Sequence, residues 1–562
     1  MKMWQPKPEA LAGTAYRYDK DANRFRIEIP ADANIAADTV GKHARDEQAN
    51  SIALIFEQAD GALQTFTYRQ LDDVATRFAV SLKNLGVNTG DRVAIHSAQR
   101  PETIIAHLAS YKLGAIATTV SPLTGPETMA FVLNDSGAKI IVTHESLWKP
   151  FRKSREDCTA LNHVIVSDSS NSDEINFPDC VAVDFRGFKP LKTTSEEAAL
   201  LIYTSGSTGQ PKGILHAHRF LHALNSSLQL FYNLELIEPN LVFWTAADWA
   251  WVGGLNDVVF PALTYGHTLI CSEQRFEPER ACEFMGRHKV THILLTPTAL
   301  KRIARIKNAK NKYRLSLRTI FTGGESLPAE THDALSENLG VVCNEGYGLT
   351  EVNQMIGNCQ KLRPVKPGSM GWQFPARRVR LVDEKGDDVA DGEVGEIVVS
   401  ADDPTLFLGY WNQDELTKAT YLNESWIRTH DLAKCDSEGY FWYQGRNDDL
   451  IKSAGFRIGP AEVEAALIEH PAVTDAGVIG VPDIEGDRGY LVKAFVSLAE
   501  GYKASDALCE ELRLRVKQRI GPHKQPRLVE FMNQLPTTSS HKISRSELRR
   551  IEERNKNALI AD

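Results

Sequence analysis

Tyr203-Thr-Ser-Gly-Ser-Thr-Gly-Gln-Pro-Lys-Gly213 is the stretch on which the reading of this chain turns. Ahead of it, Ala198-Ala-Leu-Leu-Ile-Tyr203 is an unbroken apolar run of the kind that buried strands carry. Behind it, Phe220, Leu224, Leu228 and Phe231 recur at helical spacing, which predicts a helix after the loop. The loop itself offers four hydroxyls (Thr204, Ser205, Ser207, Thr208), two glycines (Gly206, Gly209) and Lys212. Glycine lets backbone come close to a ligand and take positive φ, so such a loop can wrap N–H groups around phosphate oxygens. No Gly-Lys-Ser/Thr closes it after four spacers, which excludes a Walker A loop. A Ser/Gly linker has the same composition, but linkers rarely sit inside a strand–turn–helix unit.

The same alternation recurs on both sides. A helix pattern runs from Phe66-Thr-Tyr-Arg-Gln-Leu71 through Val74, Phe78 and Leu82 and stops at Gly86. Asp91-Arg-Val-Ala-Ile95, Ala115-Ile-Ala-Thr-Thr-Val120 and Lys139-Ile-Ile-Val-Thr143 read as short buried strands, with a helix opened by Pro101 after the first. Strands alternating with helices of this length imply parallel pairing and an α/β lobe. Further along, His292-Ile-Leu-Leu-Thr-Pro297 and Arg318-Thr-Ile-Phe321 are strands, and Val379–Val382 and Ile397–Ser400 belong to a β-rich stretch among turn glycines. Past Gly445 the composition changes. Pro460 starts a helix with Val463, Ala466 and Leu467 on one face, and strands and a helix over 505–519 complete a compact α+β domain.

Length and charge narrow the function classes. At 562 residues the chain exceeds one core, and a prior of roughly 100–200 residues per domain predicts three or four lobes. A net charge of −9 without a basic block argues against nucleic acid as a partner. The eight cysteines are scattered with no C-x-x-C pair, as in a reducing compartment. The opening Met1-Lys-Met-Trp-Gln-Pro6 lacks the apolar core of a signal peptide, and no apolar run approaches the ~20 residues of a membrane span. The expectation is a soluble, cytoplasmic protein, its oligomeric state open.

Three more motifs follow the loop in order. Thr322-Gly-Gly-Glu-Ser-Leu327 ends a strand; Asn344-Glu-Gly-Tyr-Gly-Leu-Thr-Glu351 stands behind one; Gly445-Arg-Asn-Asp-Asp-Leu-Ile-Lys-Ser-Ala-Gly-Phe-Arg-Ile-Gly459 marks a lobe boundary. The Gly-Tyr-Gly lacks the third glycine of a dinucleotide fingerprint, since Glu351 stands there. Pro536-Thr-Thr-Ser-Ser-His-Lys-Ile-Ser-Arg545 closes the series. Together, over about residues 50–550, these motifs resemble those of the adenylate-forming (AMP-binding) superfamily, and the run around Lys452 most resembles the medium-chain acyl-CoA synthetases. The C-terminal loop departs from the family in one position: His541 stands where a glycine usually precedes the lysine.

The resemblance implies a large N-terminal domain (1–447) of two α/β sheet subdomains plus a β-rich subdomain, hinged at Asp448 to a small α+β C-terminal domain (448–562). It implies ATP, Mg²⁺ and coenzyme A as co-substrates and cofactor, and a carboxylic acid as substrate. Thr204, Ser205, Gly206, Ser207, Thr208, Gly209 and Lys212 would hold the phosphates. Gly324, Glu325, Ser326 and Tyr347 would lie at the nucleotide base, with Asp431 and Arg446 also on the nucleotide. Thr350 would contact the α-phosphate and Glu351 the metal, a hard cation suited to carboxylate oxygen. Lys542 is the catalytic lysine of adenylation. Lys452, Gly455, Phe456 and Arg457 serve the thiol half-reaction. Trp251, Val252, Gly253, Gly323, Gly348 and His218 form the acyl pocket, although three neighbouring tryptophans read equally well as a core cluster.

Acetate-specific relatives carry a tryptophan where this chain has Gly348. The resemblance therefore implies a medium-chain, branched or aryl acid, converted through an acyl-adenylate to its CoA thioester with release of AMP and pyrophosphate. The alternatives are a ligase that loads a carrier protein, and a nucleotide binder without turnover.

Overall fold

A computed structural model describes residues 4–561 except 170, 205–210, 450, 454–455, 484–489 and 539–541; the side chains of 448, 452, 456–457 and 556–561 also lie outside the description. Two compact units divide the chain: one holds residues up to Arg378 together with Ser400–Ile427, the other Val379–Val399 and everything from Arg428 onward.

The first unit is built on two mainly parallel sheets. In one, Ala198–Thr204, Ile116–Val120, Arg92–His96, Ile140–His144 and His163–Ser167 lie side by side and parallel. In the other, Ile52–Glu57, Thr268–Ser272, Val242–Thr245, His292–Leu294, Thr319–Gly323 and Cys343–Leu349 run parallel, with antiparallel strands at either end. Parallel strands need crossovers, and the helices that supply them cover the sheets, which is why these strands are apolar on both faces. Helix Tyr68–Asn84, which leads from the second sheet to the first, shows how local sequence starts a helix. The Thr67 hydroxyl accepts the Gln70 N–H at 3.2 Å while the Gln70 side chain accepts the Thr67 N–H at 2.9 Å, a reciprocal capping box.

The loop at 205–210 does not sit in a strand–turn–helix unit. Strand Lys212–Ala217 returns antiparallel to Ala198–Thr204, and helix Phe220–Phe231 begins only after it. The returning strand is six residues long and starts Lys-Gly, which hides it from periodicity. Gly213 is needed there, since a Cβ would lie 2.9 Å from the Trp411 Cβ. The Gly-Tyr-Gly-Leu segment is likewise inside strand Cys343–Leu349 rather than behind it.

In the second unit, Val379–Val382 pairs antiparallel with the strand that begins at Val394, and Trp426–Cys435 with Tyr440–Arg446. Val473–Pro482, Tyr490–Leu498 and Leu528–Phe531 form a three-stranded sheet. Val463, Ala466 and Leu467 of helix Pro460–Ile468 and Leu512 and Val516 of helix Asp506–Ile520 pack with that sheet in one core. A last helix, Arg545–Ala561, follows Lys542 and was not evident in the sequence pattern.

Candidate active site

The hairpin sets the first group of residues. Thr204 pairs with Lys212, the last pair of two antiparallel strands that residues 205–211 join in sequence. Ser205, Gly206, Ser207, Thr208 and Gly209 lie outside the described residues. The returning strand carries the lysine to a second pairing: Ile214 is registered with Tyr410 of strand Gly409–Tyr410. Across that edge the Lys212 Nζ lies 5.6 Å from the Tyr410 ring centroid, a cation–π distance. The Tyr410 hydroxyl in turn donates to the Glu351 carboxylate at 2.7 Å. Lys212, Tyr410 and Glu351 thus form one half-buried cluster from three distant segments.

Backbone contacts hold the Thr350–Glu351 turn. His216 Nε2–H donates to the Thr350 carbonyl at 2.8 Å, and the Phe407 N–H to the Glu351 carbonyl at 2.8 Å. Burial pushes the His216 pKa down to about 4 despite that bond, so the imidazole is a neutral donor whose role is to fix the turn. Neither Tyr410 nor His216 stood out in the sequence: His216 lies just past a motif and Tyr410 belongs to none, and only strand register brings them to the site.

No group of three or more His, Cys, Asp or Glu side chains gathers to hold a metal among the described residues. Glu351 stands as a single carboxylate oriented by a phenol. That donor set fits a hard divalent ion that draws its remaining ligands from phosphate oxygens and water, the usual habit of Mg²⁺.

At the end of strand Thr319–Gly323, Gly324 takes φ +88°, which opens the turn through Glu325 and Ser326. The Glu325 carboxylate accepts the Thr298 hydroxyl at 2.8 Å, and the Leu327 N–H donates to Glu345 at 3.1 Å. Glu345 is buried, and burial pushes its carboxyl up to about 8; the Leu327 bond opposes this only partly. The turn is therefore pinned at both ends by carboxyl groups. Tyr347, on the next strand, is buried and registered with Ile356.

The glycines expected in the acyl pocket are glycine for different reasons. A Cβ at Gly348 would lie 2.1 Å from the Asn353 carbonyl oxygen, and one at Gly323 would lie 2.8 Å from the Gly346 carbonyl oxygen. Both positions are closed by neighbouring backbone. At Gly253 the nearest atom to a Cβ is Leu294 Cδ2 at 3.5 Å, an ordinary contact. Trp251, Val252 and Gly253 are half-buried, whereas Trp249 is core. His218 is wholly buried, with Nδ1 accepting the Ile35 N–H at 3.2 Å and its ring 5.9 Å from that of Tyr111; burial lowers its pKa to about 4.

In the second unit, Asp431 and Arg446 are direct cross-strand partners, with Arg446 Nη1 3.6 Å from Asp431 Oδ1. The Tyr443 hydroxyl donates to the same oxygen at 3.2 Å. Lys542 is exposed; the Thr538 N–H donates to the Lys542 carbonyl at 2.7 Å and the Lys542 N–H to the Thr538 hydroxyl at 3.2 Å. Arg545, three residues on, ion-pairs with Glu464 at 2.6 Å and Asp449 at 3.2 Å. Burial lowers the Arg545 pKa, but these two carboxylates more than offset it and hold it above the usual arginine value. Asp449 neighbours the expected hinge residue, so Arg545, three residues past Lys542, is tied to that segment. Gly455 lies outside the described residues, as do the side chains of Asp448, Lys452, Phe456 and Arg457.

Two family models cover most of the chain: AMP-binding enzyme over residues 41–411 and AMP-binding enzyme C-terminal domain over 462–542. An uncharacterized acyl–CoA ligase of Bacillus subtilis, YtcI, is 33% identical over 90% of this chain and 94% of its own. Mouse mitochondrial acyl-coenzyme A synthetase ACSM3 is 31% identical over 95% and 93%. The crystal structure of the anthranilate CoA ligase AuaEII in complex with anthranoyl-AMP superposes with TM-score 0.83 at 28% identity, over 94% of this chain and 99% of that one. No helix among the described residues is long and apolar enough to cross a membrane. The chain belongs to the AMP-binding enzyme family, whose acyl-CoA synthetases are acid–thiol ligases that use ATP and coenzyme A.

Proposed function

We propose that this chain converts a medium-chain, branched or aryl carboxylic acid to its acyl-CoA thioester in two steps. A carboxylate is a poor electrophile, so it must first be activated. Its oxygen attacks the α-phosphorus of ATP, pyrophosphate leaves, and an acyl-adenylate remains. The thiol of coenzyme A then attacks the acyl carbon and AMP leaves. The observation that carries this reading is the Lys212–Tyr410–Glu351 cluster at the mouth of the hairpin, which joins a cation to an oriented carboxylate beside the Ser/Thr/Gly loop.

In this reading Thr204, the 205–209 loop and Lys212 bind phosphate oxygens, and Thr350 meets the α-phosphate. Glu351 would hold Mg²⁺, which when bound offsets phosphate charge. Tyr410 and His216 keep Thr350 and Glu351 in place. Lys542 stabilises charge developing on the α-phosphoryl group, a largely electrostatic role. Asp431 accepts the ribose hydroxyls, Arg446 contacts the nucleotide, and Gly324–Ser326 with Tyr347 line the base. Asp448 is the pivot between the two half-reactions, and Lys452, Gly455, Phe456 and Arg457 serve the thiol. Gly253 has no backbone packed against the place of its missing side chain, only Leu294 methyls at ordinary contact, which supports an acid larger than acetate, and the similar anthranilate ligase is an aryl-acid example.

The test is pyrophosphate release by the purified protein with ATP and Mg²⁺ over acids from C2 to C12 plus aromatics, each with and without coenzyme A. Sustained release only with coenzyme A, peaking above C3, is expected. A single burst indifferent to coenzyme A would point to a carrier-protein acceptor instead. No release with any acid would defeat the ligase reading.

A further inference from the structure

Near the half-buried Gly253 and Gly348 lies a group of polar side chains with no role in the scheme above. Asn256 and Asp257 follow Gly253 by three and four residues in one continuous helical run, so they lie about one turn along from it. Gln354 is the direct antiparallel partner of Gly348, and directly opposed residues point to the same face of a sheet. Asn353 stands next to Gln354 with φ +52°. The four side chains meet in two pairs. Gln354 Nε2 donates to Asp257 Oδ2 at 2.9 Å, and Asn256 Nδ2 to Asn353 Oδ1 at 3.3 Å.

We propose that these four residues form a polar subsite at the floor of the acyl pocket, and that the acid activated here carries a neutral hydrogen-bond donor, a hydroxyl or an amine, at the end remote from its carboxylate. The proposal rests on the acyl-pocket reading of Gly253 and Gly348 given above.

All four side chains are at most 8% exposed, yet Asn256 Oδ1, Asp257 Oδ1, Asn353 Nδ2 and Gln354 Oε1 have no hydrogen-bond partner among the described residues. Turning the amides over exchanges their atoms without changing the count, because each pair meets through one contact. Folded proteins satisfy nearly all buried polar atoms, so four unmet ones at a single spot call for a partner from outside the chain. Their chemistry selects that partner. With Asp257 the neutral acid, its Oδ1 carries the proton because Oδ2 accepts from Gln354, so the unmet groups are two acceptors, Asn256 Oδ1 and Gln354 Oε1, and two donors, the Asn353 amide and the Asp257 O–H; a ligand hydroxyl, which donates and accepts, can meet both kinds. Burial pushes the Asp257 carboxyl up to about 8, the Gln354 bond opposing it, so the cluster is uncharged near neutrality. Neither pair includes a cation, so a second carboxylate or a phosphate would enter without a counter-charge. A hydrocarbon end would bury the same four atoms unmet, and sites built to bond a substrate hydroxyl reject analogues that lack it.

The experiment compares acids matched in shape: 4-hydroxybenzoate and 4-aminobenzoate against 4-methylbenzoate, and 6-hydroxyhexanoate against heptanoate. AMP formation by the full chain with ATP, Mg²⁺ and coenzyme A gives kcat/KM for each. The donor-bearing acid is expected to be favoured at least about tenfold in one pair, the scale that an unmet buried polar group imposes on selection. Gln354→Met and, separately, Asp257→Leu should each bring that ratio near unity, chiefly by improving the methyl analogue. The wild-type ratio alone keeps the proposal falsifiable if either variant folds poorly. Equal or reversed preference in every pair, as expected if buried water fills the subsite, would overturn it, and so would variants that slow both members alike. AMP formation with no acid at all, methyl analogues included, would overturn the ligase reading, and the subsite with it.

Discussion

The Tyr410 hydroxyl donates to the Glu351 carboxylate at 2.7 Å while the Tyr410 ring faces the Lys212 ammonium at 5.6 Å, so one phenol orients both charges of the cluster. Tyr410→Phe keeps the ring and removes only the donor. One lost hydrogen bond to a charged group costs about 1.5–3 kcal/mol. If Glu351 holds the metal, that cost should surface as a higher Mg²⁺ requirement for pyrophosphate release and about a tenfold fall in kcat/KM for ATP. Thermal unfolding should shift little. A variant with an unchanged Mg²⁺ titration would remove Tyr410 from the site.

Gly253 and Gly348 should respond in opposite ways to a side chain. At Gly253 a Cβ would meet only the flexible Leu294 side chain, at 3.5 Å, so Gly253→Leu should still fold and chain-length preference should move toward shorter acids. Gly348→Ala drives a Cβ against the Asn353 backbone, and overpacking of that kind costs about 1–3 kcal/mol. Urea unfolding and an acid panel on both variants check the contrast. Unaltered chain-length preference in folded Gly253→Leu would place the acyl pocket elsewhere.

What could be read from the sequence was what is local. The buried face of Val463, Ala466 and Leu467 follows from spacing over a few residues, and it is present. The strand Lys212–Ala217 escaped because it is short and opens with Lys-Gly. Its absence from the reading hid Tyr410, which reaches Glu351, 59 residues away in sequence, only through the Ile214–Tyr410 pairing. Gln354 and Asp257 are 97 residues apart, each an ordinary polar residue until register and burial put them together. The glycines show the same limit: sequence told that a side chain was missing at 253, 323 and 348, and only the surrounding backbone told why.

Lys542 and Arg545 lie three residues apart and should separate chemistry from stability. Lys542 is exposed, so Lys542→Ala should change unfolding free energy by less than about 0.5 kcal/mol. Adenylation should nonetheless fall by about two orders of magnitude, the scale for loss of one electrostatic stabiliser. Arg545→Met leaves the largely buried Glu464 without this cation, while Asp449 keeps its ion pair with Arg549, and should cost about 2–3 kcal/mol, at the lower end for a buried pair because the guanidinium is partly exposed. Single-turnover pyrophosphate release and urea unfolding on both variants test the separation. If Lys542→Ala adenylates at the wild-type rate, the catalytic assignment fails.

Glu345 predicts a stability that falls as pH rises. Its carboxyl is pushed up to about 8 by burial, against an ordinary value near 4. Between about pH 4 and 8 the folded chain keeps a proton that the unfolded chain has released. The unfolded state then binds fewer protons, so unfolding free energy declines with pH through that window and levels off above it. Each such group contributes at most about 1.4 kcal/mol per pH unit. Glu345→Gln can still accept the Leu327 N–H through its amide oxygen but cannot ionise, so its stability between pH 5 and 8 should be flatter than wild type. Asp257, raised to about 8 by the same cause, remains in that variant and should preserve part of the slope. Urea midpoints at half-unit pH intervals measure the difference. Parallel curves for variant and wild type would mean that the Glu345 carboxyl titrates alike in both states, and that its charge, not its proton, meets the Leu327 N–H.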